Sequence, residues 1–113
     1  MDTMTTVRRY HDAWTGGDYA RAAELLDDDL QVEVPINAYP TKASFAEAVA
    51  GFGALARAVE LRSALSGGDE AMLLYDMDVE GVGDFRVAEH FTVRDGRIVR
   101  IRQVHDTAPL RAA

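Results

Sequence analysis

Apolar positions along this chain repeat at helical spacing through residue 55 and at a period of two from residue 59, with one short alternating run in between. Met4, Val7, Tyr10, His11 and Trp14 share a helical face after a Thr-rich start, and Thr15-Gly16-Gly17 supplies the stop, which predicts a helix over 3–15. Asp18 is an N-cap for a second helix through Leu26 that packs Ala22, Leu25 and Leu26, and Asp27-Asp28-Asp29 then reads as a solvated turn. Leu30, Val32 and Val34 alternate with Gln31 and Glu33 up to Pro35, the pattern of a first strand. Ser44 and Glu47 have capping-box spacing, and Phe45, Val49, Phe52 and Leu55 form the stripe of a third helix, whose end Gly51 and Gly53 weaken.

Four strands in a meander account for the rest. Val59, Leu61, Ser63 and Leu65 form one strand, and Gly67-Gly68-Asp69 turns the chain into a second with Leu73, Tyr75, Met77 and Val79 inside and Asp76, Asp78 and Glu80 outside. Gly81 and Gly83 lead into the run Phe85, Val87, Glu89, Phe91, Val93, and Asp95-Gly96 into a last strand near 97–105. Residues two apart on a strand share a face, so Glu89 is the only charge on an apolar side.

Hydrophobic matching sets the expected register of the last hairpin. A two-residue Asp-Gly turn would put Phe91 opposite Arg100 and leave Val99 and Ile101 on the polar side. A three-residue loop, Arg94-Asp95-Gly96, instead pairs Phe91 with Val99, Glu89 with Ile101, Val87 with Gln103 and Phe85 with His105. Arg100 and Arg102 then face away from Glu89 and Gln103 is a diagonal neighbour. His105 lies four residues along, roughly 13 Å at about 3.4 Å per residue, too far for a direct dyad. A carboxyl without a counter-charge in apolar surroundings has its pKa raised, which makes Glu89 a candidate neutral hydrogen-bond donor or proton shuttle. A glutamate near a strand edge that reaches water or caps a backbone donor gives the same pattern, and both readings stand at this point.

Composition narrows the function classes. The 113 residues predict one domain, 1–113, with room for a single core and a modest pocket. With 12 basic against 19 acidic residues the formal charge is −7, which argues against nucleic acid as a partner. No apolar run approaches the length of a membrane span, and Met1 to Thr6 is polar rather than signal-like, so a soluble, cytoplasmic protein with no membrane partner is expected. Zero cysteines exclude disulfides and thiolate chemistry. His11, His90 and His105 lack metal-ligand spacing, and no phosphate loop or nucleophile elbow is present, so neither a metal nor a cofactor is expected.

The segments YHDAWTGGD, LLDDDLQVEVP and EHF followed by RDGRIVRIRQ occur in the order and spacing of the SnoaL-like, nuclear-transport-factor-2-like superfamily, and the chain resembles ketosteroid isomerases in particular. The resemblance implies an α+β fold, a curved β-sheet wrapped around three N-terminal helices as a cone with an internal pocket. It further implies an oxyanion hole made by a tyrosine of the first helix and a protonated acid of a late strand, an arrangement known from ketosteroid isomerase. Here these fall on Tyr10 and Glu89. The aspartate base of those isomerases precedes the proline that ends the first strand, and this chain has Val34 there. Neighbouring Glu33 should face outward.

Isomerisation by the family route therefore lacks its base, and His105, a water or the substrate is left to supply one. Polyketide cyclases of the SnoaL type are the other neighbours by resemblance. The expected ligand is a small hydrophobic carbonyl compound in a pocket lined by Trp14, Val34, Tyr75, Phe91, Ile101, Gln103 and His105, with Tyr10 and Glu89 on its oxygen. Isomerisation, cyclisation or dehydration without cofactor is one expectation. A noncatalytic binding or scaffold protein of the same fold is the other. The resemblance also implies a homodimer.

Overall fold

The computed structural model describes residues 2–112. Helix α1 spans Thr3–Thr15, capped by the Asp2 carboxylate on the Thr5 amide, and presents Val7, Tyr10, His11 and Trp14 to the interior. Helix α2, Tyr19–Glu24, starts at the Asp18 cap. Strand β1 is Leu26–Glu33 and helix α3 is Lys42–Leu55. Strands β2 (Ala56–Gly67), β3 (Glu70–Val79), β4 (Gly83–Arg94) and β5 (Arg97–His105) form the meander, and a short helix α4, Ala108–Ala112, follows.

The sheet has the order β1-β5-β4-β3-β2, antiparallel except that β1 runs parallel to β5. Its concave side faces the helices: α1 packs across the strands, while α3 packs on β1 and on α2. This is the expected α+β architecture, a curved sheet wrapped around three N-terminal helices. Val7, Leu26, Leu73, Phe91, Ile98 and Ile101 are fully buried at its centre. No helix among the described residues is long and apolar enough to cross a membrane.

Four local expectations give way. Asp27-Asp28-Asp29 is no turn but part of β1, since Leu26 and Leu30 both anchor in the core. On this edge strand Asp28 and Asp29 stay exposed, and Lys42 reaches Asp28 at 3.4 Å. Helix α3 starts before the predicted box, because Thr41 and Ser44 satisfy each other's backbone amides at 3.1 and 3.2 Å and leave Glu47 out of the cap. It also runs through both glycines to Leu55. A Cβ on Gly53 would come within 2.8 Å of the Tyr19 ring, so glycine there lets α2 and α3 approach.

The other two are registers. A bulge between Leu61 and Ser63 reverses the phase of β2, so that Ala64 turns inward and Leu65 is 71% exposed. At the last hairpin the chain uses the two-residue Asp95-Gly96 turn after all, with both residues at positive φ (53° and 74°) and Arg94 paired with Arg97. A bulge in the following strand absorbs Val99. Phe91 therefore faces Ile101, Glu89 faces Gln103 and Val87 faces His105, instead of the pairs expected from a longer loop.

Candidate active site

Between α1, α3 and the concave face of β3, β4 and β5 lies a cavity of about 400 Å³, within the size range of small-molecule sites. Its walls are mostly aromatic and aliphatic: Trp14 from α1, Phe45, Val49 and Phe52 from α3, Met77 from β3, Phe85 and Val87 from β4. Pro35, Asn37 and Tyr39 from the loop after β1, and Leu110 from α4, also line it.

Glu89 projects into this cavity from β4 and is 1% exposed. The Tyr75 hydroxyl donates to its Oε1 at 2.9 Å, and Gln103 Nε2 donates to its Oε2 at 2.8 Å. Strand pairing explains both contacts: Gln103 is the cross-strand partner of Glu89, and Tyr75 lies diagonally from it, since Leu73 pairs with Glu89 and Tyr75 with Val87. Burial pushes the Glu89 pKa up from 4.5 to about 7, with the hydrogen bonds from Gln103 and Tyr75 pulling the other way. The carboxyl is thus poised to be acid or base near neutrality. Burial, reinforced by the charge of Glu89, pushes the Tyr10 and Tyr75 hydroxyls well above their usual value, so both remain donors.

Tyr10 lines the same cavity, with its ring edge-on to Phe91 at 5.9 Å. The two hydrogen bonds on Glu89 come from Tyr75 and Gln103 and not from Tyr10, which leaves the Tyr10 hydroxyl to a ligand. Trp14 and Tyr75 meet at 6.0 Å and 61°, forming one corner of the wall. Val34 lines the cavity just past the end of β1. His105 lines it too, its ring 5.6 Å from Phe85 and its Nδ1 donating to the Asp106 carbonyl at 3.1 Å. In the neutral ring that leaves the lone pair on Nε2. The bulged register brings His105 to two residues from the partner of Glu89, about 7 Å along the strand pair instead of roughly 13 Å.

Phe91 and Ile101 share the Glu89 face but do not line the cavity. Both are fully buried in the core, Phe91 against Tyr10 of α1. Conversely, Tyr75 is more than a wall residue, because it holds the carboxyl. His11 was legible only as a member of the α1 stripe. It is 4% exposed and stacks within 5.1 Å of Tyr75 and 5.6 Å of Trp14, with Nδ1 unpartnered. Burial lowers its pKa to about 4, against a smaller upward pull from Asp12, so it is neutral.

Tyr75→Phe removes one of the two hydrogen bonds that favour the ionised carboxylate, and the Glu89 pKa is expected to rise further above 7. NMR titration of the Glu89 side-chain carboxyl carbon measures this directly. An unchanged or lowered value contradicts the assigned role of Tyr75.

Comparison with solved structures agrees with this architecture. A protein from Kribbella flavida DSM 17836 superposes with a TM-score of 0.91 at 28% identity, covering 97% of this chain and 91% of that one. An NTF2-like protein of unknown function from Cytophaga hutchinsonii ATCC 33406 gives 0.84 at 14% identity, over 97% and 95% of the two chains. A protein with a ketosteroid isomerase-like fold from Catenulispora acidiphila DSM 44928, solved in complex with trimethylamine, gives 0.77 at 18% identity over 98% and 92%. No curated protein sequence matches the chain significantly. Residues 7–101 match the SnoaL-like domain model, from within α1 to the middle of β5, and the chain belongs to the SnoaL-like domain family.

Proposed function

We propose that this protein binds a small hydrophobic carbonyl compound in the cavity, with its oxygen between Tyr10 and the protonated form of Glu89. The observation that carries this reading is Glu89: a carboxyl 1% exposed, with a pKa of about 7, facing an apolar cavity beside an unengaged phenol. Two such donors in a dry site favour charge that develops on a carbonyl oxygen as an enolate forms. Tyr75 and Gln103 act as positioning residues for the carboxyl. Isomerisation, cyclisation or dehydration without cofactor follows if a base is supplied by His105, a water or the substrate.

A naphthol, whose rings suit an apolar pocket and whose oxygen mimics an enolate, is the binding probe. Tyr10→Phe removes one donor and is expected to weaken naphthol binding about tenfold, the worth of a hydrogen bond in a dry site. Glu89→Gln is expected to weaken it as well. Equal binding by the wild type and both variants, read from calorimetry, overturns the proposal.

One observation favours binding without turnover. Among the described residues Glu89 is the only carboxylate lining the cavity, so no second acid is placed to take a proton from carbon while Glu89 donates. On this reading the chain is a noncatalytic binding or scaffold protein with the pocket retained.

We also propose a homodimer through the outer face of the sheet. There Leu65 pairs with Met72, and Leu74 with Ala88, itself beside Val104. Leu65, Met72 and Val104 are 71%, 44% and 71% exposed, an apolar band of the kind that marks an interface. Light scattering after size exclusion is expected to give a dimer mass for the wild type and a monomer mass for Val104→Asp. A monomeric wild type at micromolar concentration ends the idea.

A further inference from the structure

We propose that the same cavity also binds hydrophobic ammonium ions, the cationic head lying against the Glu89 carboxylate among the rings of Tyr10, Trp14 and Tyr75. This goes beyond the carbonyl reading, since it concerns another ligand class and the opposite protonation state of Glu89. Its basis is the charge inventory of the lining. Among the described residues Glu89 is the only acid there, and neither lysine nor arginine lines the cavity, so no permanently charged cation in that wall neutralises the carboxylate. Arg100 and Arg102 lie on the other face of β5.

Two further observations point the same way. Tyr75 and Gln103 both aim donors at the carboxyl, one to each oxygen, which organises the ionised form. Each carboxylate oxygen accepts more than one hydrogen bond, so both keep a free acceptor position. The surrounding wall is rich in π-systems, with Trp14 and Tyr75 meeting at 61° in a corner. Aromatic faces attract cations, and most strongly where water is excluded. A carboxylate alone in this setting is costly, and a bound cation offsets part of that cost. The net charge of −7 adds long-range attraction for a positive ligand.

The groups facing Glu89 decide its pH behaviour. They are Tyr10 from α1, Tyr75 from β3, and Gln103 and His105 from β5. The lining from α3 is apolar throughout, and Tyr39 from the loop after β1 is a phenol. Tyr10 and Tyr75 stay neutral, and the pH dependence assigned to the site is that of Glu89. A quaternary ammonium ligand does not titrate, so any pH dependence belongs to the protein.

Trp14 is the single tryptophan of the chain and lines the cavity, so its fluorescence reports occupancy. The probes are benzyltrimethylammonium and its uncharged carbon isostere neopentylbenzene, titrated between pH 5 and pH 9. Benzyltrimethylammonium is expected to bind at least about tenfold more tightly than the isostere at pH 9, and to weaken by about 100-fold towards pH 5 as Glu89 takes up its proton. The isostere should bind alike throughout. His105→Gln should retain the pH dependence, and Glu89→Gln should abolish the preference for the cation.

Equal affinity of the two probes at pH 9, or a cation preference that survives in folded Glu89→Gln, overturns the proposal. If Glu89→Gln does not fold, the wild-type comparison decides by itself. Naphthol titrated alongside separates the two readings, because the carbonyl proposal stands or falls on its binding and the ammonium proposal on the cation's advantage over its isostere.

Discussion

Replacing Val34 with aspartate is expected to create isomerase activity on a β,γ-unsaturated 3-ketosteroid. Val34 lines the same cavity as Glu89 and Tyr10, immediately after β1, which β5 separates from the Glu89 strand β4. A carboxylate introduced there would take the proton from the carbon between carbonyl and alkene. The electron pair moves onto the carbonyl oxygen, where Tyr10 and protonated Glu89 donate to the dienolate, and the same proton returns at the γ-carbon. A placed general base contributes about 10²- to 10⁴-fold, so turnover of the variant should stand at least about 100-fold above the wild type. Conjugated-enone absorbance follows the reaction. A folded Val34→Asp protein that binds the steroid but shows no gain would count against the placement of Tyr10 and Glu89 as oxyanion donors, and against the alignment that assigns the base position to Val34.

The elements of the fold were legible where one face of one element settles the matter. The stripe Val7, Tyr10, His11, Trp14 needs no partner to be read as a helix, and Leu73, Tyr75, Met77, Val79 reads as a half-buried strand by alternation alone. The register between strands was less legible because bulges add residues without a periodic signature. Hydrophobic matching argues against the two-residue turn, since a plain hairpin of that kind would turn Val99 and Ile101 outward, and the structure overturns that expectation. The chain meets the constraint differently, keeping the tight turn at Asp95-Gly96 and inserting the extra residue in β5. Both solutions turn Ile101 inward, yet they differ by two residues in what faces Glu89. The difference exchanges Ile101 for Gln103, and with it an apolar neighbour for a hydrogen-bond donor.

The candidate site shows the same division. Glu89 announced itself as a charge on an apolar stripe, and the structure buries it. Its partner Tyr75 did not, because a diagonal contact between β3 and β4 depends on a register set by the turn at Gly81 and Gly83. Phe91 and Ile101 lie on the same strand faces as Glu89 and Gln103, and nothing in the alternation tells core from cavity. That distinction depends on where α1 covers the sheet and where α3 stands away from it, a tertiary fact without a local signal. For the same reason the stripe Phe45, Val49, Phe52 reads equally as packing or as pocket wall. The structure makes it both, with Phe45 buried while all three line the cavity.

Two buried groups titrate against each other, and separating them should expose about 3 kcal/mol of hidden pH dependence on each side. Glu89 is held at about 7 when folded, above its ordinary 4.5, so the folded state binds its proton more tightly than the unfolded state. Its contribution to stability is greatest below 4.5 and declines as pH rises towards 7. His11 is the reverse: its pKa is about 4 when folded against an ordinary 6.5, so the unfolded state binds the proton more tightly and stability rises with pH between those values. At about 1.4 kcal/mol for each pH unit between the two states, either gap is worth about 3 kcal/mol. Across the shared window the slopes oppose, and the wild type should be nearly flat between pH 4.5 and 6.5. Asp2 and Asp76, lowered by the Thr5 amide and by Arg86 and Arg62, act below that window. Glu89→Gln leaves His11 unopposed, so its unfolding free energy should climb by about 3 kcal/mol from pH 4 to 6.5. His11→Phe, which keeps an aromatic ring against Trp14 and Tyr75, leaves Glu89 unopposed, and stability should fall by about as much from pH 4.5 to 7. Urea unfolding at a series of pH values reads both slopes. Two variants that track the wild type would mean that neither group carries its burial into the stability of the fold, and slopes of the same sign would mean that one of them is protonated differently from what its surroundings dictate.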